Sequence, residues 1–420
     1  MAKKKTEVEE KDKHEKKKVE KEKKSKKEKN EPDVIDSQKA FIMTASSIES
    51  KFKHTFHAWL YEQEKLKQER FSSGSMGLDT ALGGEGLPEG RLIEIYGPPS
   101  GGKTSLGLEI AWHRQRQALD KRAAGDLSVP AGIVFIDAEH KFDRRLLSKW
   151  RGGFHPDFTV FAEPETGEDA FGLMYSYAES AGTALIMLDS ISAIQPGKKL
   201  KEDDQTSYYG MQAGFISAWL PKLTGAAART GVPMILINQV RANLKAGQYA
   251  TKINQFNKGG GWSLKHRVAI SIFFDKTQSG YKPGKKDEDG KYTQEDSKYK
   301  GQWSKGTIVR NHSGDTFFND FDVFLEFGKR FLTAGELLKM GKSLGVIHQG
   351  GGGWTTIYDE KLQGMDPATE YIDTNPEILG RLWNDVKKMQ LLGRVPIMDV
   401  NELDEAADAA ELGVEDSEQF

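Results

Sequence analysis

The sequence contains no cysteine. Disulfides and thiolate metal sites are therefore excluded, and the nine histidines show no metal-ligand spacing, so no zinc site is expected. No apolar run is long enough to span a bilayer, and the lysine-rich start lacks the apolar core of a signal peptide. A cytoplasmic protein with no membrane partner is the expectation. Neither sign of charge dominates: the formal net charge is −2, which argues against a strongly basic coat for nucleic acid. There is no internal repeat.

The charge that is present is concentrated at the ends. Residues 1–31 hold fourteen Lys against nine Asp and Glu, and residues 401–420 hold eight acidic residues and no basic one. These segments carry +5 and −8, which with the total of −2 leaves +1 for the middle. Residues 1–34 have too little apolar content to offset chain entropy and read as a disordered Lys/Glu tail, with a helix held by i,i+4 charge pairs as the alternative. Residues 35–70 read as a helix, with Phe52, Phe56, Trp59 and Leu60 on one face. That face suits docking on a neighbouring subunit or packing on the chain's own core. Residues 71–333 read as an α/β core, 334–398 as a small α+β domain, and 399–420 as an acidic tail.

Within the core, Gly97-Pro98-Pro99-Ser100-Gly101-Gly102-Lys103-Thr104 fits G-x-x-x-x-G-K-[ST]. It lies between a predicted strand, Leu92 to Tyr96, and a predicted amphipathic helix that begins at Lys103 and continues through Ser105 to Trp112. Glycines let backbone N–H groups turn inward around phosphate oxygens, and the positive end of the helix adds to the anion site. Lys103 can reach the outer phosphates of a nucleoside triphosphate, and the Thr104 hydroxyl can ligate Mg²⁺.

Three further apolar runs, Ile133 to Ile136, Leu185 to Leu188 and Met234 to Ile237, suit parallel strands covered on both faces. Each is followed at once by polar residues: Asp137-Ala138-Glu139-His140, Asp189-Ser190 and Asn238-Gln239. Ligands of open α/β sheets bind at such carboxyl ends. Asp189 is placed to support Mg²⁺, Glu139 to deprotonate the attacking water, and Gln239 to sense the γ-phosphate. Gln239 opens a segment running to Trp262 without one acidic residue, carrying Arg241, Leu244, Lys245, Gly259, Gly260 and Gly261. Basic side chains beside exposed glycine backbone suit a nucleic-acid phosphate chain. An earlier expected loop, Pro196 to Gly210, carries Lys198, Lys199 and Lys201, with Tyr208 and Tyr209 available to stack on bases or to pack in the core.

From about Phe71 to Gly351 these residues resemble the RecA-type homologous recombinases, the bacterial and phage branch in particular. The resemblance rests on Ser73-Gly74-Ser75, Gly86-Leu87-Pro88-Glu89-Gly90-Arg91, Glu94-Ile95-Tyr96-Gly97, Phe135 to His140, Glu163 to Glu168, Asp189-Ser190 and Ile237 to Arg241. It implies a RecA-like P-loop NTPase core with a mostly parallel sheet covered by helices, an N-terminal helix, and a small α+β C-terminal domain that gathers duplex DNA. It further implies an ATP- and Mg²⁺-dependent recombinase that forms a helical homo-oligomeric filament on single-stranded DNA and exchanges strands with homologous double-stranded DNA. A single-strand-binding protein or loader stands as a candidate accessory partner.

By the same resemblance, Gly97 to Ser105, Asp143 and Asp189 hold the nucleotide. Tyr209, Arg241, Leu244, Gly260 and Gly261 contact DNA. Arg310 and His312 meet a neighbour's γ-phosphate. Three departures stand out. The family's paired lysines are replaced by Arg310-Asn311-His312, and His312 is fully charged only if its pKa is raised. The adenine-stacking aromatic is replaced near Leu146, with Arg144 and Arg145 beside it, which implies a different nucleotide affinity or base preference. The chain is also longer around Asp275 to Gly306, in what reads as a solvated hairpin. Two rival functions share this core: a ring-type replicative helicase, and a recombination mediator that binds ATP without useful turnover. The second glycine-rich loop and small C-terminal domain disfavour the first, and Glu139 with Gln239 disfavours the second.

Overall fold

A computed structural model describes residues 68–197, 205–243, 253, 256–259, 261–279, 285–286, 292–293, 301–312, 314 and 319–392. The expected tails at 1–34 and 399–420, and the helix expected over 35–70 up to residue 67, lie outside them. So do Lys198, Lys199, Lys201, Leu244, Lys245 and Gly260.

A short ribbon, β1 (Arg70–Phe71) with β2 (Leu87–Pro88), precedes the main sheet and frames helix α1 (Met76–Ala81). The main sheet takes its parallel strands from β3 (Leu92–Gly97), β4 (Gly132–Asp137), β5 (Thr159–Ala162), β6 (Thr183–Asp189), β7 (Met234–Ala242) and β9 (Ile270–Ser279). Antiparallel members are β8 (Phe256–Lys258), β12 (Gly301–Asn311), β13 (Asp320–Glu326) and β14 (Arg330–Phe331). The order is β14-β13-β12-β9-β3-β7-β6-β4-β5, with β8 on β7. Pairing is parallel from β9 through to β5 and antiparallel from β9 to β14. The fold is thus α/β with a mostly parallel sheet.

The continuous apolar runs follow from burial of both sheet faces. Ile93, Ile95, Ile133, Phe135, Leu185, Met187, Ile235 and Ile237 share one core with Leu106, Leu108 and Ile110 of helix α2 (Lys103–Ala123). Their neighbours Leu92, Val134, Ile136, Ile186, Leu188, Met234 and Leu236 point the other way. They meet Phe171 and Met174 of α4 (Gly167–Ala178) and Ile216, Leu220 and Leu223 of α5 (Gln205–Thr230). The two-residue period sends alternate side chains to opposite layers, so both faces of these strands are mainly apolar until the strands end. Between α2 and α4 lies the five-residue helix α3 (Arg145–Lys149).

Two expected loops are corrected. Tyr208, Tyr209 and Gly210 do not lie in a loop ending at 210, because α5 already starts at Gln205. The apolar spacing of Phe215, Ile216, Trp219, Leu220 and Leu223 anchors a long helix, and extending it upstream costs far less than nucleating it. The segment from Gln239 to Trp262 is likewise not a single loop. β7 continues to Ala242 and pairs back with β8, and Gly261 and Trp262 open helix α6 (Gly261–Arg267). The extension at 275–306 has an antiparallel stem of β9 and β12, with β10 (Lys285–Lys286) paired to β11 (Tyr292–Thr293) within it.

After β14 come α7 (Thr333–Ser343), a three-stranded sheet of β15 (His348–Gln349), β16 (Trp354–Ile357) and β17 (Glu360–Gln363), then α8 (Met365–Thr374) and α9 (Pro376–Leu392). Their core of Leu337, Leu338, Ile347, Ile357, Ile372, Leu382 and Val386 also includes Met76 of α1. Two buried carboxyl groups mark this region. Glu109 of α2 accepts from Trp150 Nε1 (2.9 Å), Arg151 Nε (2.6 Å) and Phe331 N (3.3 Å), which ties the helix after the phosphate loop to β14. Burial alone would raise the Glu109 pKa, but His113 and Arg151 outweigh it and hold the group below the usual range.

Glu336 of α7 is the opposite case: burial pushes it up to about 8, against its bonds from Ser75 and Gly77. The unfolded chain ionises this group near 4.5, whereas the folded chain keeps the proton to about 8. Stability is therefore lost progressively as pH rises across that window. Glu336→Gln is expected to raise Tm by several degrees at pH 8 relative to wild type, with the two curves converging toward pH 4. A Tm difference that stays flat between pH 4 and 8 would remove this assignment.

Candidate functional site

The phosphate loop leaves β3 at Gly97 and enters α2 at Lys103, so the motif sits at the carboxyl edge of the central strand. Local geometry explains its glycines. A Cβ on Gly97 would stand 2.1 Å from the carbonyl oxygen of Phe274 on β9, and Gly102 holds φ 93° as the cap of α2. Ser100 also lies in the left-handed region at φ 61°. Two side chains from β12 brace the loop: Gln302 Nε2 donates to Ser100 O (3.1 Å) and Ser304 Oγ to Gly101 O (3.0 Å). Sequence reading missed both residues, which lie some two hundred positions downstream. Their only signal is a pair of polar residues flanking Trp303 on one strand.

Five predicted residues converge here. Lys103 is 8% exposed, and its ammonium donates to Pro98 O at 2.7 Å, across its own loop. Burial lowers its pKa, while Asp189, Glu139 and Asp275 oppose that shift. Thr104 Oγ1 donates to Asp189 Oδ2 at 2.5 Å, joining the first turn of α2 to the end of β6. Burial raises Asp189 to about 6, assisted by the nearby Glu139 and Asp137 carboxylates. A hydroxyl, a carboxylate and phosphate oxygens make a hard-oxygen set suited to Mg²⁺, so the residues present fit that ion. Glu139 Oε1 accepts from both Ser190 Oγ and Gln239 Nε2. Asp137 fixes the turn that presents it, accepting from Glu139 N (3.0 Å) and Phe142 N (2.9 Å).

A polar ladder underlies the start of the basic segment. Asn238 is fully buried, and its amide donates to Glu94 Oε1 (2.9 Å) and to Gly259 O (3.0 Å). Glu94 Oε2 in turn accepts from Ser271 Oγ (2.6 Å). The chain therefore returns at Gly259 beside the strand that carries Gln239. Arg241 is exposed on β7, opposite Asn257 of β8.

Other predicted residues lie apart from this cluster. Asp143 is exposed and held by Arg145 through Nε–Oδ1 (2.9 Å) and Nη2–Oδ2 (2.7 Å) bonds, which lower its pKa to about 2. Arg144 lies over the Phe161 ring at 5.1 Å and pairs with Glu163, while Leu146 packs against the core. Arg310 is level with Ser271 and hence with Glu94, toward the opposite end of the parallel strands from the phosphate loop. It stands eight residues along β12 from Gln302, roughly 26 Å at a rise of about 3.3 Å per residue. Its guanidinium donates to Lys265 O, and His312 is exposed beside it. Neither is among the residues that gather at the phosphate loop.

Comparison with known proteins agrees with this arrangement. Residues 39–287 match the RecA N-terminal domain. Protein RecA of Arthrobacter sp. (strain FB24) is 30% identical over 363 residues, covering 86% of this chain and 94% of the relative. Protein RecA of Rippkaea orientalis is 29% identical over 361 residues, covering 85% and 93%. That of a Nitratiruptor species is 29% identical over 374 residues, covering 88% and 99%. With a phosphate loop, an Asp189–Thr104 pair and a Glu139–Gln239 pair at one sheet edge, and relatives matched along nearly their whole length, this chain belongs to the RecA family and is a RecA-type recombinase.

Proposed function

We propose that the chain is a DNA-dependent ATPase that assembles as a helical filament on single-stranded DNA and exchanges it with homologous duplex. The observation carrying this reading is the bond from Gln239 to Glu139, because it joins the candidate base to the strand that runs straight into the basic β7–β8 ribbon.

The loop N–H groups and Lys103 bind the phosphates, and Thr104 with Asp189 would hold Mg²⁺. That ion, when bound, neutralises charge building on the phosphate oxygens. Glu139 takes a proton from the attacking water, oriented by Ser190. The Gln239 amide occupies one oxygen of the carboxylate that accepts this proton. Turning that amide toward a γ-phosphate oxygen would free Glu139 and shift β7, which gives nucleotide state a route to the DNA-facing segment. Tyr208, Tyr209 and Gly210, with Arg241, Leu244, Lys245 and Gly259 to Trp262, make up the proposed DNA surface. Arg310 and His312 supply charge to the nucleotide of a neighbouring copy, a role supported by their place outside the cluster at the chain's own loop. Residues 334–398 act as a small domain that gathers duplex, and residues 35–70 engage the neighbour. A loader or single-strand-binding protein is the proposed accessory partner, with the cytoplasm as the location. No helix among the described residues is long and apolar enough to cross a membrane.

Lys103→Ala tests the phosphate assignment. It is expected to weaken ATP-dependent assembly on single strands by at least about 100-fold, the scale of removing one preorganised charge contact. Normal filaments of this variant with ATP, seen by electron microscopy, would contradict the assignment.

A further inference from the structure

Glu139 takes two donors on one oxygen, and the link through Gln239 accounts for only one of them. The other is Ser190 Oγ, which belongs to a fully buried residue and stands first in a chain of hydroxyls. Ser192 Oγ lies 2.7 Å from Ser190 Oγ. A serine hydroxyl carries a single proton, and Ser190 gives its own to Glu139. The 2.7 Å contact is therefore a donation from Ser192, and it holds the Ser190 hydroxyl toward the carboxylate.

Ser192 lies in the 3₁₀ turn Ile191–Ala193, directly after β6. The turn is held on several sides. Its far end is bound to the start of α4, where Gly167 N donates to Gln195 O at 2.7 Å. Its middle is bound to α5: Gln212 Nε2 donates to Ser192 O (3.1 Å) and to Ile194 O (2.8 Å), so both amide hydrogens end on the turn. The β7–β8 ribbon also returns beside it, since a Cβ on Gly259 would stand 3.7 Å from Ser192 Cβ. Gln212 is half-buried, one helical turn after Tyr208 and Tyr209 and one before Ile216, where the fully buried residues of α5 begin. Displacement of the start of α5 thus reaches Gln212 before the core absorbs it.

We infer that Gln212 is a positioning residue for Glu139, the anchor of a second line from DNA to the hydrolytic site that runs through Ser192 and Ser190. This role rests on the recombinase reading, in which α5 begins at the DNA surface. Single strands held at Tyr208 to Gly210 move the start of α5, and Gln212 carries the turn with it. The Ser192 and Ser190 hydroxyls then re-aim the Glu139 carboxylate. Because Ser190 and Gln239 share one oxygen of that carboxylate, neither turns it alone, and full stimulation needs both lines.

The test measures ATP hydrolysis by the full chain with and without oligothymidylate at one fixed salt concentration, together with the affinity for that strand. Gln212→Leu keeps a long side chain that suits a helix but donates nothing. The ratio of DNA-stimulated to DNA-free rate is expected to fall at least about fivefold, the lower end of coupling between two sites, with strand affinity retained. Ser192→Ala is expected to lower the same ratio by up to about tenfold, the scale of one hydrogen bond. The double variant should fall no further than the lower single variant, since both lie on one line. Should Gln212→Leu fail to fold, Ser192→Ala decides alone. A structural anchor would slow hydrolysis equally with and without DNA, and that result would overturn the role of Gln212. So would a ratio unchanged in the variants that fold, a ratio lost only together with strand affinity, or effects that multiply in the double variant. In each of these cases the wild-type chain is still stimulated, and the recombinase reading stands. A wild-type chain that single strands do not stimulate would overturn that reading and this role together.

Discussion

Glu139→Gln is expected to lower steady-state ATP hydrolysis by on the order of 10²–10⁴-fold while leaving ATP-dependent assembly on single-stranded DNA intact, the range for loss of a general base. The substitution is nearly isosteric. Its amide oxygen still accepts from Ser190 and Gln239, so the turn fixed by Asp137 and the end of β7 keep their places. What is lost is a group able to take a proton from water. Phosphate binding by the loop, Thr104 and Asp189 involves none of these atoms. Unimpaired turnover by this variant would remove Glu139 from the role of base. Loss of assembly together with turnover would mean that it serves binding instead.

The second large effect is expected between copies. Replacing both Arg310 and His312 by Ala should lower DNA-stimulated hydrolysis by about 10³-fold or more, the scale attributed to a cation supplied in trans to a transferring phosphoryl group. A trans role also predicts complementation. In mixed assemblies, a Glu139→Gln subunit still offers Arg310 to a neighbour that retains Glu139, so mixing the two inactive proteins should restore part of the activity. Arg310 alone is expected to carry most of the effect, because its planar guanidinium is always charged and can bind phosphate oxygens bidentately. Normal stimulation of the double variant by DNA, or no recovery on mixing, would place the trans contact elsewhere.

The site was legible in the sequence wherever chemistry sits at the end of an apolar run. Lys103, Thr104, Glu139, Asp189 and Gln239 are polar residues that follow strands buried on both faces, and parallel strands carry their ends to one edge. The braces were not legible. Gln302 and Ser304 reach the phosphate loop only because β12 folds back along β9, and that pairing depends on tertiary structure. The loop boundaries failed for a related reason. Tyr208, Tyr209 and Gly210 look like loop residues locally, yet the buried stripe from Phe215 to Leu223 carries the helix through them. The basic segment after Gln239 reads as flexible by composition, but its ends join as a β ribbon tied down by Asn238. The buried Glu336 gave no signal at all, since an acidic residue on an amphipathic helix ordinarily faces water.

The central claim is that DNA engagement and ATP hydrolysis communicate through Gln239. The most direct test is the rate of ATP hydrolysis by the full chain with and without single-stranded DNA, at one fixed moderate salt concentration, because phosphate contacts make binding salt-dependent. Strong stimulation by single strands, lost in Gln239→Ala while DNA binding persists, is the predicted result. Equal rates with and without DNA would contradict the link from Gln239 to the basic ribbon and would favour a mediator that binds ATP without coupled turnover.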